Sequence, residues 1–172
     1  QGQEPAVALA FCLGNYPQLV RNFHPLLAGG DLAALRAGPT HSPEAPALVE
    51  WARERGSCPE TLLAAGVLRL ARQFDAAEEL LRRPPSAEWR AAHANEEAAL
   101  AWHRGRAEEA AALWHKQADS TPVLFNRGMA ALFLGDADAA RAALTPAAAA
   151  LPETSAWHHL ARLYLAMAEV RG

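Results

Sequence analysis

The chain matches itself when displaced by 30 residues. Ala98 then falls on Gly128, Ala101 on Ala131, Gly105 on Gly135, Ala107 on Ala137, Ala110 on Ala140 and Trp114 on Leu144. A displacement of 33 residues brings Ala65, Ala77 and Leu81 onto Ala98, Ala110 and Trp114, and after Pro152 the residues Trp157, Leu160, Ala161 and Tyr164 open a further copy. Three full copies and half of a fourth are present. A period of this length constrains the fold more than any other feature, because one copy is a single supersecondary unit that cannot bury its apolar face alone. Copies must therefore stack on their neighbours.

Within the copies the periodicity is helical. Apolar residues recur at three and four, alanines fill the gaps, and no stretch alternates Val, Ile, Thr or Tyr as a strand would. Breaks at Gly14-Asn15, Gly29-Gly30, Gly38-Pro39, Gly56-Ser57, Pro84-Pro85, Gly105, Gly135 and Pro152 cut the chain into short helices in series. Ser57, with Pro59 in the first turn and Glu60 three residues on, predicts a capping-box start for a helix over 58–72. Ser86 is placed to cap 87–104, and Ser120 or Thr121, ahead of Pro122, to cap the next. In the first 56 residues, Pro17, Pro25, Pro39, Pro43 and Pro46 leave room for helices at 5–13, 17–28 and 44–55 and a turn at 31–36.

The residues at fixed places in each copy resemble the tetratricopeptide repeat. Over 121–152 the resemblance rests on Leu124, Asn126, Gly128, Gly135-Asp136, Ala140, Leu144, Ala147 and Pro152, and Trp157, Leu160, Ala161 and Tyr164 restart it. The departures are Arg127 for the family's leucine, Ala131 for its tyrosine, Pro84 for a small residue, and a period shortened to 30, which a shorter second helix or a tighter turn would absorb. The resemblance implies an all-α fold: a right-handed superhelix, or α-solenoid, of antiparallel helix hairpins over 57–172. Its copies would be 57–89, 90–120, 121–153 and a partial 154–172, with 1–56 an irregular helical region packed on the array. Small residues at Ala98, Gly128 and Ala161 would let the first helix approach its partner, as Ala110 and Ala140 would from the second, with Trp114, Leu144 and Trp157 filling the spaces between.

The family presents positions of each first helix to a concave groove. Carried over, these select Asn95, Glu96, Trp102 and His103 from one copy, Phe125, Asn126, Met129, Leu132 and Phe133 from the next, and His158 and Arg162 from the last. The expected site is a groove apolar in the middle and cationic towards Arg162, suited to a helix or extended peptide of a protein partner. The Lys and Asn groups that clamp a terminal carboxylate in some members are missing, since their places hold Leu62, Gly66, Ala99, Phe125 and Met129.

No phosphate-binding or nucleophile motif is present, so no cofactor and no enzymatic role is expected. Of the seven histidines, none are spaced for chelation on a helix, and His158 and His159 point about 100° apart, so no metal is expected either. His93, His103 and His115 fall on different faces. Cys58 sits at a helix start, where a thiol can be activated, but it reads as a thiol tucked beneath the hairpin. Cys12, in an apolar run, reads as core. The pairs Glu78-Glu79, Glu96-Glu97 and Glu108-Glu109, set beside arginines, read as solvated faces.

Composition sets the remaining bounds. With 51% apolar and 20% charged residues the chain is globular, and no apolar run approaches the roughly 18 residues that a membrane span requires. A net charge of -3 offers no cationic surface for nucleic acid. Lys116 is the only lysine, a bias expected of a GC-rich, bacterial genome. Two cysteines exclude a disulfide framework. The stub Gln1-Gly2-Gln3-Glu4-Pro5 fits either signal cleavage or a trimmed start; the compartment stays open, cytoplasmic or exported, with the cytoplasm favoured. The expected role is a protein-interaction scaffold. The alternative is a self-assembly module that forms homo-oligomers by stacking its repeat ends, since Trp157 to Met167 supply a first helix with no second after it in this sequence.

Overall fold

The computed structural model describes residues 45–172; the helices expected at 5–13 and 17–28, the turn at 31–36 and Cys12 lie outside the described residues. Those residues form eight α-helices and no strand: α1 (Ala45–Arg55), α2 (Cys58–Leu70), α3 (Phe74–Leu81), α4 (Arg90–His103), α5 (Ala107–His115), α6 (Thr121–Leu134), α7 (Ala137–Ala150) and α8 (Ala156–Arg171). A single 3-10 turn, Ala87–Trp89, precedes α4. The chain divides into two compact units, whose described parts are 45–96 and 97–172, so the division falls within α4. No described helix is long and apolar enough to cross a membrane.

The hairpins close on one repeated turn. Gln73 N–H bonds the Leu68 carbonyl at 2.8 Å, Arg106 N–H that of Ala101 at 2.9 Å, and Asp136 N–H that of Ala131 at 2.9 Å. One residue earlier, Arg72, Gly105 and Gly135 donate to Arg69, Trp102 and Leu132. This double closure satisfies carbonyls that the helix end would otherwise leave bare, and it requires a left-handed residue at the turn. Arg72, Gly105 and Gly135 supply it, at φ 61°, 83° and 94°. The turns recur at the 33- and 30-residue spacing of the sequence, with the glycine replaced by arginine in the first. The 30-residue copy has a second helix of nine residues, α5, against eight in α3 of the 33-residue copy, so the difference between those copies lies in the connection: the segment between α3 and α4 holds a 3-10 turn and that between α5 and α6 does not.

The helix starts divide. Ser120 Oγ accepts from Val123 N–H at 3.4 Å and starts α6 as expected, and Asp136 and Ser155 do the same for α7 and α8. The capping box at Ser57 does not form: Ser57 Oγ and Glu60 Oε2 are buried without a hydrogen-bond partner. Pro59 removes one of the two N–H groups that a cap hydroxyl accepts from. Ser86 makes no side-chain cap either; its N–H donates to Cys58 Sγ at 3.3 Å, and a 3-10 turn intervenes before α4.

In the unit 45–96, α2 packs against α1 and α3. It is buried from Glu60 to Arg69, around its whole circumference, as befits the central helix of three. In the unit 97–172, α6 packs on α7, α7 on α8 and α5 on α6. The core there is built from Ala98, Trp102, Ala110, Trp114, Phe125, Met129, Leu132, Ala140, Leu144 and Ala161, all closed to solvent. Small residues sit where helices approach: a Cβ built on Gly128 would stand 3.1 Å from the Ala140 carbonyl oxygen.

Candidate functional site

The residues expected to face a groove come from the first helices α4, α6 and α8. In the unit 97–172 three of them, Trp102, Phe125 and Phe133, belong to one chain of aromatic contacts. Trp114 meets Trp102 at 6.0 Å between ring centroids, and Trp102 meets Phe133 edge-on at 6.2 Å. Phe133 meets Tyr164 edge-on at 5.8 Å, Tyr164 lies 5.9 Å from Phe125, and Phe125 meets Trp157 edge-on at 5.2 Å. Edge-to-face pairs align the positive ring edge with the negative ring face and add roughly 0.5–1.5 kcal/mol beyond area burial. This row ties α4, α6 and α8 together.

The residues expected to face a groove differ in access. Trp102, Phe125, Asn126 and Met129 are fully enclosed, Asn95 is 4% exposed and His103 9%. Phe133 and His158 are half-buried and Arg162 is exposed. Of the nine, an incoming partner can therefore touch Phe133, His158 and Arg162. His158 is oriented by a hydrogen bond from Nδ1 to the Ala148 carbonyl at 3.0 Å, and its ring stands edge-on to His159. Burial raises the Tyr164 hydroxyl above the ordinary tyrosine value, because it disfavours the phenolate.

The departure at Arg127 acquires a purpose. Its Nε donates to the Trp114 carbonyl at 2.9 Å, Nη2 to the Gln117 carbonyl and Nη1 to Asp119 at 2.5 Å. The guanidinium, 14% exposed, thus satisfies carbonyls at the C-terminal end of α5, where a cation also complements the helix dipole. A leucine there could not.

In the unit 45–96, Glu96 departs from the solvated face expected of it. Glu97 is exposed, but Glu96 is buried against Arg69, with Nε to Oε1 at 2.6 Å and side chains 3% and 2% exposed. The signal was legible in principle, since Arg69 is the lone charge in the apolar run Leu62 to Leu70, and a buried cation demands an anion. Cys58 is half-buried and lines a shallow pocket with Thr61, Pro84, Pro85 and His93. The His93 ring is held there by Nε2 donating to the Leu81 carbonyl at 2.9 Å.

No family model, curated protein or solved structure matches the chain. The site is accordingly read from its own chemistry. Among the described residues no three His, Cys, Asp or Glu side chains come together as a metal would need. The accessible groups are an aromatic edge at Phe133, an oriented imidazole at His158 and a guanidinium at Arg162 that has no ion-pair partner among the described residues.

Proposed function

We propose that the chain is a repeat scaffold of tetratricopeptide type that binds a peptide or helix of a protein partner, with no catalysis of its own. The observation carrying this reading is the hairpin turn repeated at Arg72, Gly105 and Gly135 with the same pair of hydrogen bonds. Equivalent closures at the sequence period support a repeat of helix hairpins, and in a stacked array such hairpins would present one helix of each pair to a common binding face. Phe133, His158 and Arg162 form its accessible part, and the ring contacts of Phe133 hold it rigid, which reduces the ordering cost of binding. Arg162 offers a charge-assisted bond to an acidic group of the partner.

The test is affinity capture from the native source, followed by quantitative binding of whatever protein is retained. Phe133→Ala and His158→Ala should each weaken that binding, the aromatic anchor by about 1 kcal/mol or more, with the helical circular dichroism preserved. Equal affinity in both variants would place the partner elsewhere on the chain.

A further inference from the structure

Helix α8 carries an apolar strip that the rest of the described chain leaves uncovered. Side chains on an α-helix advance about 100° per residue, so His159, Leu163, Ala166 and Val170, spaced four, three and four, share one strip. All four are exposed, Leu163 by 55% and Val170 by 88%. One flank is lined by the half-buried Leu160 and Met167, the other by the exposed Arg162 and Glu169. This is the pattern of a two-helix seam, with the apolar Leu163, Ala166 and Val170 recurring at three and four, the imidazole of His159 at its N-terminal end and charges beside them.

The flanking charges decide what fits. Arg162 and Glu169 are seven residues apart, which on a helix is about 10 Å, too far to pair with each other. Neither makes an ion pair or hydrogen bond with any described residue. A second α8 laid antiparallel across the first, about a two-fold axis through the middle of the helix, brings each Arg162 against the copy's Glu169. The same operation sets Leu160 against the copy's Met167 and Leu163 against its Ala166. A parallel copy would place Arg162 beside the copy's Leu160 and Met167, stranding a charge on apolar surface. The strip is thus self-complementary under a two-fold, as an isologous interface requires.

We propose that two copies of the chain associate through α8 in antiparallel register, with Leu163, Ala166 and Val170 at the seam and two Arg162–Glu169 pairs at its edge. The seam residues Leu163, Ala166 and Val170 take no part in the peptide-binding reading; Arg162 is common to both, so the Leu163 and Val170 substitutions are the ones that test dimerisation apart from peptide binding.

Sedimentation velocity of the full chain over a concentration series tests it. The parent should pass from monomer to dimer, and Leu163→Glu with Val170→Glu should hold the chain monomeric at every concentration, with a melting temperature equal to the parent's at dilutions where the parent is monomeric. Arg162→Glu alone and Glu169→Arg alone should each weaken dimerisation by about tenfold, because two attractive edge pairs become two repulsive ones. An equimolar mixture of those two variants should recover the parent's association, since every edge pair is again of opposite charge. A parent that stays monomeric overturns the proposal. So does self-association indifferent to the Leu163 and Val170 substitutions, or a mixture that fails to recover.

Discussion

Gly128 on α6 and Leu144 on α7 approach so closely that a Cβ built on the glycine would overlap the leucine Cγ. The equivalent places Ala65, Ala98 and Ala161 also hold small, fully buried residues. Gly128→Ala should lower stability by about 1–3 kcal/mol despite alanine's better helix propensity, because overpacking outweighs it. Gly128→Leu should cost more. Chemical denaturation decides the matter: a Gly128→Ala variant as stable as the parent would mean the two helices do not meet here.

Arg69 and Glu96 form a buried pair whose halves cannot be removed singly. Arg69→Met should destabilise the chain by about 3–5 kcal/mol, because Glu96 is left charged in a closed site. Adding Glu96→Leu should restore much of that loss. Thermal melts of the two singles and the double form the cycle, and additive losses would contradict a direct pair.

Arg127 serves the end of α5 rather than the groove. Arg127→Leu, which restores the residue usual in the resembling family, should nonetheless lower stability by about 1–2 kcal/mol by taking donors away from the carbonyls of Trp114 and Gln117. Hydrogen exchange should quicken at the C-terminal turn of α5. Stability equal to the parent's would assign those carbonyls other partners.

The repeated turn makes opposite predictions at equivalent positions. Arg72→Gly should stabilise by up to about 1 kcal/mol, since a left-handed conformation costs a side-chain-bearing residue and not glycine. Gly135→Ala, where φ is 94°, should destabilise by about 1 kcal/mol. Urea midpoints that move in the same direction for both would refute the common turn.

Tyr164 makes the fold sensitive to alkali. Its folded-state value is raised above 10.0 by burial, so its contribution is intact below about pH 10 and is lost as pH rises through the folded value, where the unfolded chain alone gains by ionising. Tyr164→Phe should remove that part of the decline. An identical pH profile for the variant above pH 10 would place the hydroxyl in water.

Part of the candidate site was legible because repeat positions specify which way a first helix faces. That reasoning groups Phe125 and Phe133 on α6 with His158 and Arg162 of α8, whereas the α8 rings that those two side chains meet are Trp157 and Tyr164. It could not tell a groove from a core. Phe125, Asn126 and Met129 are closed to solvent whereas Phe133, four residues beyond Met129, is not. Facing is a property of one helix, but burial depends on what other segments lie over it.

The sequence by itself determined the helices, their breaks at Gly105 and Gly135, the period, and the small residues at close approaches, because each rests on interactions within one or two turns of chain. Tertiary structure alone decided that Arg72 takes the glycine's place, that Arg127 closes α5, that Glu96 is an ion-pair partner, and that Leu163 and Val170 stay exposed on α8. Each of these depends on which distant backbone or side chain fills the space beside the residue, and local propensity carries no information about that.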